Sequence, residues 1–334
     1  QLTSSQLGVF NTAAVANLNS TQLIAVTTTN IAGLTTAQLG AITPANAATL
    51  ETADVAVLSS VQVAGFTTAQ VDQLSSSQVG ALNTSAFAAL STVQLAALTT
   101  SNVAGVTSSQ LSVVNTSSIA RLETADVAVL TSAQVPGLTT GQMGQLTSSQ
   151  VGVLTTAAFA NLNSSQLVAL STSNVLGVTS DQLSVVSTSN ISRLETADVA
   201  VLTSVQVQGL TTAQVAQLTS SQLGVFNTAA VANLTTTQLS AINSTNGVGL
   251  TTAQLRAVSD VFLPYLPAVV VGILNTSLIT NLTTAQIAQF TSDQITNLST
   301  AQVAQFVSDQ VRAITTSAIV GLETVSYTHL RAHE

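Results

Sequence analysis

The chain has 334 residues, 46% hydrophobic but only 5% charged and 3% aromatic, with no cysteine, tryptophan or lysine. An average soluble protein is about 25% charged, so this chain relies on the uncharged polar groups of Ser, Thr, Asn and Gln, which argues against an ordinary cytosolic enzyme. A formal charge of −8 without a basic cluster leaves nothing to neutralise a row of phosphates, so nucleic acid is excluded as a partner. The missing thiols remove disulfides, thiolate zinc sites and thiol catalysis together.

No basic and apolar signal pattern opens the chain, which begins at Gln1 rather than Met, so a cut N-terminus is expected. From Thr3 onward the sequence divides into octads without insertion or deletion: TSSQLGVF, NTAAVANL, NSTQLIAV and so on to TTSAIVGL ending at Leu322, 40 in all. With positions lettered a to h, h is Leu, Val, Ile or Phe in all 40 and e is apolar in 39, Gly247 being the exception. Position a is Ser, Thr or Asn in 35, departing at Glu51, Glu123, Glu195, Pro267 and Val307, and d is Gln in 22. A longer period overlies this one: ETADVAVL recurs at 51, 123 and 195, and super-repeats of 72 residues start near 3, 75, 147, 219 and 291. Residues 1–324 therefore read as one continuous repeat domain grown by block duplication. Recent duplication also makes identity between copies weak evidence of a site.

The octad selects its own secondary structure. Two apolar positions in eight would need 4.0 residues per turn of a continuous helix, beyond what supercoiling accommodates. In a strand, e and h are three and five residues apart and point to opposite faces. A broken helix fits. Thr or Ser at a followed by Gln at d is a capping box, with a as N-cap and d as the third helical residue. The preceding h and the following e then form the hydrophobic staple. Ordering a backbone costs about 1–2 kcal/mol per residue, more than one octad's two apolar side chains and one cap return, so octads must stack on neighbours. The expected fold is all-α: a solenoid, or superhelix, of very short capped helices, one per octad. Positions e and h line the core, a to d lie outside, and small f and g residues allow close coil contacts. A β-solenoid, favoured by the Thr and Val content, is the alternative.

Taken along the chain, other residues fit this frame. Pro44 falls at b, the first helical position, where proline is welcome. Glycines such as Gly8, Gly33, Gly40 and Gly80 fall at f or g, where a short helix must end. Asp54, Asp126 and Asp198 stand at d in the first turn, where the helix dipole favours an anion. With Glu51, Glu123 and Glu195 they form carboxylate pairs three residues apart, but two oxygen donors per repeat are too few for calcium. Arg121 and Arg193, two residues before a Glu, suggest local charge pairing. Pro136 and Pro264 at f restrict each helix to about one and a half turns. Asn19, Asn83, Asn115, Asn163, Asn243 and Asn275 each begin an N-x-S/T triplet, and all stand at a, where they serve as N-caps.

One segment breaks the pattern. SDVFLPYL PAVVVGIL at 259–274 has an apolar run too short and too interrupted by Pro264 and Pro267 to span a membrane. Phe262 and Tyr265 are candidates for a patch that contacts a partner or sister chain, against divergence that merely fills the core. The last ten residues, VSYTHLRAHE at 325–334, fit nothing before them and hold both histidines, His329 and His333. They resemble a translated sequencing adapter, which implies a non-native tail on an open-ended metagenomic fragment.

The remaining chain, without His, Cys or Lys, offers only scattered carboxylates as general bases and no partner to activate its hydroxyls. No enzyme activity, cofactor or metal is expected. The phrase LTTAQVAQL at 210–218 resembles the opening helix of TAL effector repeats, which bind DNA. That resemblance covers the capping phrase alone, since the family's period is far longer and its base-reading pair has no counterpart, and it reads as convergence on a good helix start. All 40 octads resemble the Ser/Thr-rich, Cys-free repeat tracts of large bacterial surface or secreted adhesin-like proteins. This compositional resemblance implies an extracellular structural stalk or spacer. An intracellular helical scaffold binding a protein partner is the alternative, and an ice-binding or adhesive Thr-rich surface a further one.

Overall fold

The structure is a computed structural model that describes residues 2–320, so the tail at 325–334, with His329 and His333, lies outside the described residues. Among the described residues there are short helices and no strands, which removes the β-solenoid alternative. The α-helices are four to six residues long, one to an octad, as at Thr36–Ala41, Ser60–Val63 and Thr196–Ala200. Five octads close on 3-10 turns instead, among them Val135–Gly137 and Asp260–Tyr265, and these two contain Pro136 and Pro264.

Most starts are built by the expected box. At Thr35 the hydroxyl accepts the Gln38 N–H at 3.3 Å, while Gln38 Oε1 accepts the Thr35 N–H at 2.6 Å. Each end is built by the h residue, whose N–H returns to the carbonyl of e, as from Leu58 to Val55 at 3.2 Å. The chain then runs extended through h and the next a: Ile42 has φ −61° and ψ 134°, and Thr43 φ −63° and ψ 148°. Two extended residues in eight redirect every helix, and successive helices wind into a coil.

The described residues divide into two compact units, with the boundary between Leu170 and Ser171. Both follow one stacking rule, in which an octad packs on those three and four octads away. In the first unit Thr52–Ala56 packs on Ser76–Ala81, three octads on, and Gln110 bonds to Val79 and Leu82, four octads back. In the second, Thr196–Ala200 packs on Ser220–Val225, and Gln214 reaches Leu183 and Val186. A coil therefore holds between three and four octads. The e and h side chains fill its centre and are buried through most of each unit, as at Val55, Leu58, Val207 and Leu210.

One expectation needs correction. Position d is not outside with a, b and c: its Gln and Asp side chains are buried from Gln38 onward. The glycines at f and g stand near helix ends with no positive φ among the described residues, and they serve the expected close approach between coils. A Cβ on Gly80 would lie 2.6 Å from the carbonyl oxygen of Gly105, and a Cβ on Gly105 would collide with the Ser76 backbone. At such glycine pairs position f of one octad touches g of the octad three further on, with no room for a methyl group. Gly247, the one e position without a side chain, is compensated across coils: a Cβ there would lie 2.6 Å from Val270, the apolar residue at d three octads on.

Candidate functional site

The recurring chemical feature of the molecule is the primary amide at d. Gln110 shows its full use. Its Oε1 accepts the Thr107 N–H at 2.7 Å, completing the cap, and its Nε2 donates to the carbonyls of Val79 at 2.8 Å and Leu82 at 2.7 Å. Those carbonyls belong to e and h of the octad four back: that of e already receives the N–H of its own h residue, as Val79 does from Leu82 at 3.3 Å, whereas that of h lies beyond the helix end and depends on the amide. Asparagine does the same from a shorter stem, as Asn102 does to Val71 at 2.9 Å. At two of the alanine d positions the donor moves to a. Asn83, above Ala86, donates to Leu58 at 2.9 Å, and Asn227, above Ala230, donates to Leu202 at 2.8 Å. Thr-x-x-Gln and Asn-x-x-Ala are two ways of delivering one amide to the same h carbonyl. Each such bond contributes about 1 kcal/mol net, and leaving a buried partner unmade costs about 1–3.

The three ETADVAVL octads depart from this chemistry. Asp54, Asp126 and Asp198 occupy the amide position and are 1%, 2% and 3% exposed, and Oδ2 of each is buried without a hydrogen-bond partner. The expected stabilisation by the helix dipole is overturned. A five-residue helix has little macrodipole, and removal from water outweighs it. Burial first, and the neighbouring Glu51, Glu123 or Glu195 second, raise all three acids above their ordinary value of 3.8, Asp126 and Asp198 to about 6. The three glutamates stand at the N-cap without a side-chain cap bond. The expected pairing of Arg121 and Arg193 with them does not form. The ion pair found among the described residues is between Arg312 and Asp309, at 3.2 Å on the surface. Asp126 and Glu123 share an open cleft of about 510 Å³ with Asp72, Leu98, Thr99 and Thr100. Among the described residues no three acidic or histidine side chains gather as a metal site.

At the divergent segment, Phe262 falls at d and is partly buried, whereas Tyr265 at g is 49% exposed beside the exposed Val261 and Val269. Leu263, Leu266, Val270 and Val271 complete the core there. Tyr265, Pro264, Pro267, Thr291 and Asp293 line a shallow groove of about 370 Å³. No described helix is long and apolar enough to cross a membrane. The triplet asparagines are explained by local structure: Asn19, Asn83, Asn163 and Asn275 cap helices, and Asn115 and Asn243 close turns two residues ahead.

The stacking rule and the amide ladder define the class: a helical repeat protein whose coils are joined by side-chain amides. The comparison with known families agrees. A family model for the ALTTAQ repeat matches residues 47–84, 119–156 and 191–228, each match starting 72 residues after the one before and each containing one ETADVAVL octad. These matches support a repeat tract over 47–228. No curated protein matches the chain.

Proposed function

We propose that the chain is a non-catalytic structural stalk or spacer of an extracellular, bacterial adhesin-like protein, one that holds a functional domain away from its anchor. The observation that supports this reading is the amide ladder. In each unit most octads beyond the first coil are tied to one four octads away through a buried, sequence-encoded donor, so a coil can be added by duplicating sequence without designing a new interface. The hydroxyl-rich a and b positions keep the outside uncharged and polar, which suits a tract that must repeat without self-association. Intact cells expressing the uninterrupted gene in its bacterial source test the proposal: antibody raised against the octad tract labels them without permeabilisation. Labelling that appears only after lysis would overturn the extracellular placement and favour the intracellular scaffold.

A further inference from the structure

Most d positions beyond the first coil carry an amide that acts as a donor toward the coil beneath. Asp54 and Asp126 have the stem length of asparagine, and asparagines at d donate to carbonyls 31 or 28 residues back, as Asn102 does to Val71 and Asn46 to Leu18. In the same register Asp54 stands over Leu23 and Val26, and Asp126 over Leu95 and Leu98. An ionised carboxylate there has only lone pairs to offer to carbonyl lone pairs, and its octad holds no second amide, because a is Glu51 or Glu123. A protonated carboxyl has one O–H and becomes a donor like asparagine.

We infer that the ETADVAVL octads are acid-closed clasps: protonation of Asp54, Asp126 and Asp198 tightens the solenoid at 72-residue intervals, and ionisation at neutral pH loosens it there. The surroundings leave the proton as the fitting partner. Around Asp54, the octads at 19–26, 27–34, 75–82 and 83–90 contain no ionisable side chain. Around Asp126, the octads at 91–98, 99–106, 147–154 and 155–162 contain none, and the charges that share its cleft are Glu123 and Asp72. Within its own unit, Asp198 packs below 219–226 and 227–234, also without ionisable groups. Arg121 and Arg193 precede the glutamates but bridge to none of these acids. The native acids titrate above the unfolded value of 3.8, Asp126 and Asp198 near 6. Between these limits the folded chain holds protons that the unfolded chain has released. Stability is therefore full below about pH 4 and is lost as pH rises through about 6, the unfolding constant increasing up to tenfold per pH unit for each carboxyl.

The experiment is urea unfolding of the full chain from pH 4 to pH 7.5, beside the triple variant Asp54→Asn, Asp126→Asn, Asp198→Asn and the surface control Asp181→Asn, Asp293→Asn, Asp309→Asn. The wild type and the surface control should lose stability as pH rises, while the clasp variant, with permanent amide donors, should remain nearly flat and be the most stable at pH 7.5. Carboxyl carbon NMR of the wild type reads the same groups directly and does not depend on whether the variant folds. A clasp variant with the wild-type pH dependence, or carboxyls that titrate near 4, would overturn the proposal. Calcium at 1 mM raising wild-type stability at pH 7.5 as much as acid does, with loss of that effect in the clasp variant, would also overturn it by making the sites cation sites.

Discussion

Replacing Gln110 with methionine keeps the length and flexibility of the side chain and removes every polar atom. The cap bond to Thr107 and the two bonds to Val79 and Leu82 disappear together. A lost cap costs about 1 kcal/mol, the Leu82 carbonyl left without a donor about 1–3 kcal/mol, and the lost second bond to the Val79 carbonyl, which keeps the Leu82 N–H, about 1 kcal/mol, so Gln110→Met should destabilise its coil by about 3–5 kcal/mol. Gln22 is the internal control. It accepts the Asn19 N–H at 2.9 Å, but it is exposed and in the first coil, with no bond from its Nε2 to a coil beneath among the described residues. Gln22→Met should therefore cost only the cap, about 1 kcal/mol. Because solenoid stability is a sum of neighbouring interfaces, the assay is urea unfolding combined with amide hydrogen exchange at the Leu111 and Val114 N–H groups. Equal costs at the two positions, within about 0.5 kcal/mol, would refute the inter-coil role.

Three further outcomes follow from the same geometry. Asn83→Thr keeps a helix cap but removes the donor to Leu58, and should cost about 1–2 kcal/mol; adding Ala86→Gln should restore it, because a Gln there reaches the carbonyls of Val55 and Leu58, and urea midpoints of the two variants check this. Gly105→Ala should destabilise by about 1–3 kcal/mol through collision with the Ser76 backbone, whereas Gly141→Ala, whose nearest neighbour is the Thr116 methyl at 3.4 Å, should stabilise by up to about 1 kcal/mol through helix propensity. Gly247→Ala should be destabilising alone and rescued by Val270→Ala, a coupling measurable in a double-mutant cycle.

The local unit was legible because its signals are local. The staple between h and e, the box between a and d, and the prolines at b and f fix where each helix begins and ends. What escaped the sequence lies between coils. The capping box accounts for Gln through its Oε1 alone and leaves Nε2 without a task. A signal was nevertheless present: a capping box accepts Glu as readily as Gln, yet no octad carries Glu at d. Exclusion of the carboxylate isostere marks a position where the NH₂ group is needed. The same blind spot turned Asp126 into a dipole-stabilised anion, since burial at d arises only once another coil lies beneath it. Close coil contacts through small f and g residues were legible, but not which backbone they meet: Gly80 faces Gly105, 25 residues away, a pairing set by the number of octads in a coil. The number of octads in a coil depends on the extended pair at h and a, whose angles no side-chain pattern encodes.

The buried amide at d joins coil to coil, and side-chain NMR observes that group directly. In a chain labelled with ¹⁵N, the Gln110 side-chain NH₂ should exchange slowly with solvent and show cross-relaxation to the protons of Leu82 and Asn83, while that of Gln22 exchanges freely. A Gln110 amide that exchanges as fast as Gln22 and shows no contact with residues four octads back would contradict it.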